Sequence, residues 1–260
     1  MSQHIPVQGP LLDGVTIEHG PADLGARFFL AADNLLGLRG ITLSFATFEE
    51  LMAINAANKD TWLPLLPAFD PACCDLSPER AFCWLGRDAT GKVVVTQACR
   101  LFDWPRTNFF EEAATLRLMY DNPDRDKRPG EVAVMTAEGT RAITGRVAYS
   151  GAVWWHPSRR GSELPALMSR LSRYYAHSRW NVGFATGIMS EKVMKGGLSA
   201  KTGHPHIDWA LAMSNTRWGE AYMGVLWMNQ QELVEDVAHY MPMLDTQVDR
   251  VVEERRAQQN

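Results

Sequence analysis

The apolar positions of this chain change period several times, and each change marks an element. Over 22–36 they recur at helical spacing (Leu24, Phe28, Leu30, Ala31, Leu35), and Gly37 and Gly40 stop the run. Residues 41–45 alternate Ile, Leu and Phe with Thr and Ser, the period of a half-buried strand. Thr47 and Glu50 have the spacing of a capping box and predict a helix to about residue 58, with a further helix expected to start within 62–66. Two strand-like runs, 81–85 and 92–101, flank the turn Gly-Arg-Asp-Ala-Thr-Gly and predict a hairpin.

After Trp104-Pro105 the strand pattern stops. Residues 108–119 have helical spacing, and 121–131 form a charged, proline-containing loop. We read 104–145 as an insertion between two neighbouring strands, which either shapes a substrate pocket or covers a sheet edge. Beyond it the pattern predicts a strand (148–155), a helix (162–177), a strand (182–189), a helix (190–202), two strands (207–213 and 221–227) and a helix from 229 to about 240. Residues 248–258 extend as a charged helical tail, and the Pro- and Gly-rich 1–20 reads as an irregular arm. No internal repeat or low-complexity tract appears.

The segment 151–204 carries the chemistry. An apolar-aromatic run with Val153, Trp154 and Trp155 passes into His156-Pro157-Ser158-Arg159-Arg160-Gly161 and then a helix. A strand, a basic glycine-containing turn and a helix start suit phosphate, because the first helical N–H groups lack intrahelical partners and arginines add charge. Ser162 as N-cap, with Glu163 and Pro165 in the first turn, also reads as an ordinary helix start without a ligand.

This layout resembles the acyl-CoA-binding half of the GNAT N-acetyltransferase superfamily, of which the chain would be a divergent member. The resemblance spans about 41–228, with 104–145 set aside. It implies a mixed α/β (α+β type) fold. A central, mostly antiparallel sheet of about seven strands would carry helices on both faces, with a V-shaped cleft between two splayed parallel strands. It further implies one domain over 1–260: an N-terminal arm and helix (1–40), the 104–145 insertion and a C-terminal helical extension (229–260).

By the same resemblance, acetyl-CoA or another acyl-CoA is the donor. Backbone groups of Val153, Trp154 and Trp155 would pair with pantetheine, while Arg159, Arg160, Gly161, Ser162, Glu163 and Leu164 would hold pyrophosphate. In the family's Arg-x-x-Gly-x-Gly turn the later positions are small, whereas here they are Glu163 and Pro165. These remove an N–H donor and add a negative charge. The closing Lys201–Gly203 keeps the family's frame, with His204 in place of its Phe. Ser199 stands where the family commonly places a tyrosine acid. His156, at the strand end, is a candidate base on an amine. Glu49, Glu50, Glu111 and Glu112 are further carboxylate candidates on the acceptor side. The implied activity is transfer of an acyl group to a small-molecule or peptide amine. The alternative is a GNAT-like module without catalysis that binds a ligand or partner.

Composition narrows the rest. Apolar residues make up 46% and charged residues 22% of 260 positions, as in a globular protein. A net charge of −4 argues against a nucleic-acid binder. No run approaches the roughly twenty apolar residues a membrane helix needs, and the first residues lack a signal peptide's pattern, so a cytoplasmic location is expected. Cys73, Cys74, Cys83 and Cys99 lack metal-ligand spacing and read as reduced thiols. His204-Pro205-His206 with Asp208 could suggest a metal, but a proline between the histidines keeps them off a shared helical face, and no metal is expected. A homodimer is plausible on the family pattern.

Overall fold

The computed structural model describes residues 11–160, 163–195, 197 and 201–259. In chain order its regular elements begin with α1 (Leu11–Gly14), α2 (Ala22–Leu38), β1 (Thr42–Ala46), α3 (Phe48–Ala57), β2 (Ala81–Arg87) and β3 (Val93–Trp104). The 104–145 segment contains α4 (Phe109–Ala114), α5 (Pro123–Asp126) and β4 (Val132–Met135). Then come β5 (Gly145–Trp155), α6 (Leu164–Trp180), β6 (Phe184–Ser190), α7 (Glu191–Lys195), β7 (His206–Thr216), β8 (Gly219–Asn229) and a C-terminal helix, Gln230–Gln259.

All eight strands join one sheet in the order β1-β2-β3-β5-β6-β8-β7-β4. Every neighbouring pair is antiparallel except β5 with β6. The fold is therefore mixed α/β, as expected. The eighth strand, β4, comes from the segment read as a loop-bearing insertion. Val132–Met135 is too short and too exposed to show a strand period, yet it pairs with β7 and forms that edge of the sheet.

The sheet is buried on both faces. β3 reads VVVTQACRLFDW and most of its residues are buried, as a central strand requires. One face packs against α2, α6 and the C-terminal helix through Phe28, Phe29, Trp84, Leu171 and Tyr174. The other packs against α3, the 58–72 connection and the 104–145 segment through Phe48, Phe69, Phe102, Phe109, Tyr149 and Val225.

Several boundaries differ from expectation for local reasons. Leu11 in α1 is fully buried, so part of the expected arm belongs to the core. Thr47 does accept from the Glu50 backbone N–H at 3.2 Å, but the Glu50 carboxylate pairs with Arg87 instead of returning to Thr47. No helix forms over 62–66; the chain there stays irregular until a single 3₁₀ turn at Pro67–Phe69. The C-terminal helix runs unbroken past Pro242, merging the expected helix and tail. No helix of the described residues is long and apolar enough to cross a membrane.

Candidate functional site

The parallel pair is short. Its register runs from Val147 opposite Phe184 to Ser150 opposite Gly187, and there it ends. Beyond that point β5 stays with β3, reaching Trp155 opposite Val95, and the His156 N–H then donates to the Val94 carbonyl at 2.8 Å. β6 stays with β8, pairing Ile188, Met189 and Ser190 with Val225, Gly224 and Met223. The two strands thus part at Ser150 and Gly187 and leave a cleft open at their C-terminal ends.

A β-bulge explains the divergence. Thr96 pairs with Trp154 and Ala98 with Gly151, so Ala152 and Val153 face Gln97 alone. Ala152 has φ of +51°, and its carbonyl accepts from the Thr96 hydroxyl at 2.7 Å. A bulge sharpens twist and bends its strand, which carries the end of β5 away from β6. The two sides are closest at the base, where a Cβ on Gly187 would come within 3.2 Å of the Ser150 carbonyl oxygen.

The expected donor-binding residues divide into three groups. Val153 is exposed at the cleft, while Trp154 and Trp155 are buried on opposite faces of the sheet. Trp154 stacks on Trp62 with ring centroids 5.5 Å apart, and its indole N–H donates to the Thr61 hydroxyl. Arg159 ends a single 3₁₀ turn, Pro157–Arg159, and Arg160 follows it. Arg160 donates to the carbonyls of Trp155 and Thr61, both at 3.1 Å, and Arg159 donates to the Arg39 carbonyl. Both guanidinium groups thereby brace the turn against its neighbours. Gly161 and Ser162 lie outside the described residues.

Glu163 and Leu164 start α6, with Glu163 at the N-cap position. The Glu163 carboxylate accepts from Arg39 Nε at 3.1 Å and Nη2 at 2.7 Å, and Arg250 lies 3.9 Å away. Burial pulls its pKa upward. Its own backbone N–H and the two guanidinium groups outweigh that and hold it below the usual carboxylate value. The charge that the sequence sets beside a would-be phosphate is therefore neutralised by Arg39, just past α2, and by Arg250 of the C-terminal helix.

His156 also has committed partners. Its Nε2 lies 2.8 Å from Lys92 Nζ, and its Nδ1 lies 2.7 Å from the Ser158 hydroxyl. The Ser158 backbone N–H also donates to Nδ1, at 3.3 Å, so the imidazole caps the turn that follows it. Both ring nitrogens thus have partners within the protein, Lys92 at Nε2 and Ser158 at Nδ1. Ser199 lies outside the described residues. Among the glutamates, Glu50 pairs with Arg87, Glu111 with Thr107 and Arg141, and buried Glu112 with Arg117.

The Lys201–Gly203 closure has a structural basis that sequence alone does not show. Arg170 donates to the Lys201 carbonyl at 2.9 Å and Arg173 to that of Thr202 at 2.6 Å. Both arginines also meet Asp236 of the C-terminal helix, Arg170 at 2.9 Å. Two positive groups from α6 thus satisfy the last carbonyls of a helical turn, where cations are favoured. Burial drives the Arg173 pKa down to about 10 against the pull of Asp236. Gly203 has φ of +76°, and a Cβ there would run into both Arg170 and Asp236.

His206 opens β7 instead of lying in a loop, stacked on Trp227 at 3.9 Å and bonded to Glu232 at 2.9 Å. His204 keeps an accessible edge but sits in a crowded pocket. Burial, then Arg173 and Arg170, push its pKa well below the ordinary histidine value. Among the described residues no three His, Cys, Asp or Glu side chains converge as a metal site would require. All four cysteines are free, and burial raises the thiols of Cys74 and Cys99 to about 12.

No protein-family model matches the chain, and no curated protein matches it in sequence. Among solved structures it is similar to an aminoglycoside acetyltransferase in complex with coenzyme A and kanamycin. That match has 13% identity and a TM-score of 0.41, and covers 74% of this chain and 96% of that one. It is also similar to spermidine N-acetyltransferase from Vibrio cholerae in complex with CoA and spermine. There the identity is 9%, the TM-score 0.43 and the coverage 75% and 99%. These likenesses concern architecture. Among the described residues of the chain itself, the mostly antiparallel sheet and the parallel pair that parts are those implied by the sequence resemblance, with eight strands instead of about seven.

Proposed function

We propose that this protein is an acyl-CoA-dependent N-acyltransferase of the GNAT type, acting on an amine, and that 1–260 forms one domain. The observation that carries this reading is the splay of β5 and β6 at Ser150 and Gly187, with the Ala152 bulge beside it. Past that point β5 has no β6 partner, and a backbone edge facing an open cleft suits an extended, amide-bearing arm such as pantetheine.

In the reaction, the acceptor's deprotonated amine nitrogen attacks the thioester carbonyl carbon. The new C–N bond forms, the C–S bond breaks, and the thiolate leaves to take up a proton. Backbone N–H groups of β5 near the bulge would stabilise the developing oxyanion. Holding both reactants in one cleft supplies much of the acceleration, because positioning alone replaces a bimolecular encounter. His156 would enter the chemistry only after Lys92 or Ser158 releases a ring nitrogen.

Calorimetry with acetyl-CoA and longer acyl-CoAs tests the reading, followed by a thiol-release assay with pooled amines. Binding in the micromolar to low-millimolar range with thiol release supports it. Absence of binding at about 1 mM, an affinity worth only some 4 kcal/mol, overturns it and leaves a non-catalytic module. Arg160→Glu should weaken acetyl-CoA binding by removing the brace on the Trp155 carbonyl; unchanged affinity would place the donor elsewhere.

A further inference from the structure

Arg100 on β3 and Tyr149 on β5 are direct cross-strand partners on the sheet face that packs against α3 and the 104–145 segment. Tyr149 immediately precedes Ser150, where β6 departs. Both side chains are buried, Arg100 with 3% and Tyr149 with 0% of its surface exposed. Both carry polar atoms without partners: Arg100 Nε and Nη1, and the Tyr149 hydroxyl. Arg100 Nη2 is paired with Asp121, which is itself held by the Asp75 N–H. The guanidinium also lies over the Phe102 ring, 4.6 Å from its centroid. Buried polar groups in folded proteins are almost always paired, so neighbouring orphans on adjacent strands call for a common partner.

The chemistry of that partner follows from the donors. Nε–H and Nη1–H can only donate, and a phenol hydroxyl donates readily to an anion. Burial holds the Tyr149 phenol well above its ordinary pKa, so it keeps its proton even with Arg100 nearby. A carboxylate oxygen pair complements such a set, and an ammonium does not. The charged groups beside Arg100 are Asp121 and Asp75, while Phe69 stacks on Tyr149 at 5.7 Å and Cys74 is a buried thiol.

We infer that Arg100 and Tyr149 bind a carboxylate of the acceptor, making the acceptor an amine that also bears a carboxylate, of the amino-acid class. This rests on the acyl-transfer reading for the reaction, but not for the binding. Asp121, with 41% of its side chain exposed, marks the side on which Arg100 meets solvent. Tyr149 sets the site one residue before the point where β5 and β6 part.

Calorimetry without CoA tests the inference, using the twenty amino acids and, for each that binds, its decarboxylated amine. The expected result is at least one amino acid bound with Kd below about 1 mM, and its amine bound at least tenfold more weakly, the scale of one charge-assisted hydrogen bond. Tyr149→Phe removes a single oxygen and should weaken the amino acid about tenfold while leaving the weak amine binding unchanged. Arg100→Met should abolish the preference for carboxylate, with circular dichroism to confirm folding; if it fails to fold, Tyr149→Phe decides. Equal affinity for amino acid and amine, no binding by any amino acid, or an unaltered Tyr149→Phe would each overturn the inference. A parallel acetyl-CoA titration separates the two readings. Acetyl-CoA binding without amino-acid binding refutes the carboxylate site alone, and the converse refutes acyl transfer alone.

Discussion

Gly203→Ala should be among the most damaging single-methyl additions in this chain. Gly203 has φ of +76°, in the left-handed region, where an alanine costs about 1–2 kcal/mol. Its new Cβ would overlap Arg170 Nη2 and Asp236 Oδ1, the two atoms joined by the 2.9 Å ion pair. Neither atom is at the free end of a solvent-exposed chain, since 9% of the Arg170 side chain and 16% of that of Asp236 is accessible. Parting a buried charge-assisted hydrogen bond costs about 1.5–3 kcal/mol. Together these give roughly 3–5 kcal/mol, or about 6–20 °C in Tm for a chain of this size. Urea denaturation of wild type, Gly203→Ala, Asp236→Ala and the double variant forms a thermodynamic cycle. In the Asp236→Ala background the glycine substitution should cost only its backbone part, about 1–2 kcal/mol. A cost near or below about 1 kcal/mol in the wild-type background would refute the claim that this glycine is fixed by the arginine–aspartate cluster.

Three further outcomes follow from neighbouring geometry. Gly151→Ala places a Cβ inside the Phe69 ring contact and should cost about 1–3 kcal/mol by overpacking, read by chemical denaturation. Trp62→Ala removes the ring stacked on Trp154 and should lose about 0.5–1.5 kcal/mol beyond simple area loss, with a change in tryptophan near-UV circular dichroism. His204 has a folded pKa below its unfolded value, so the unfolded state binds the extra proton. Stability should fall as pH drops below about 6.5, and His204→Asn should flatten that slope in urea midpoints measured from pH 7 to 5.

Periodicity made most of the sheet legible. Alternation over 41–45, the hairpin at Gly86–Gly91 and the long apolar run of β3 each report burial of one or both faces, a local property. β4 was hidden because four residues at a sheet edge carry no period, and only pairing with β7 makes them a strand. In the turn after β5, the sequence marked Arg159, Arg160 and Glu163 as candidates but not their partners. Arg39 and Arg250 lie far away in the chain, so nothing local marks that Glu163 is already neutralised. The Ala152 bulge was equally silent, since an alanine at positive φ leaves no compositional trace where a glycine would have. Arg100 looked like an ordinary strand residue, and its burial beside Tyr149 emerges only from register.

The ion pairs at Glu163 have a consequence for how the protein is made. The turn before α6 is held by Arg39 from the N-terminal region and by Arg250 and, through Arg39, Glu254 from the last helix. During synthesis the strands that form the cleft leave the ribosome well before Arg250 does, since domains emerge N-terminal end first. The turn before α6 therefore acquires its final charge balance only after Arg250 has been made. A chain cut before Arg250 would carry Arg39 and Glu163 there without their full complement.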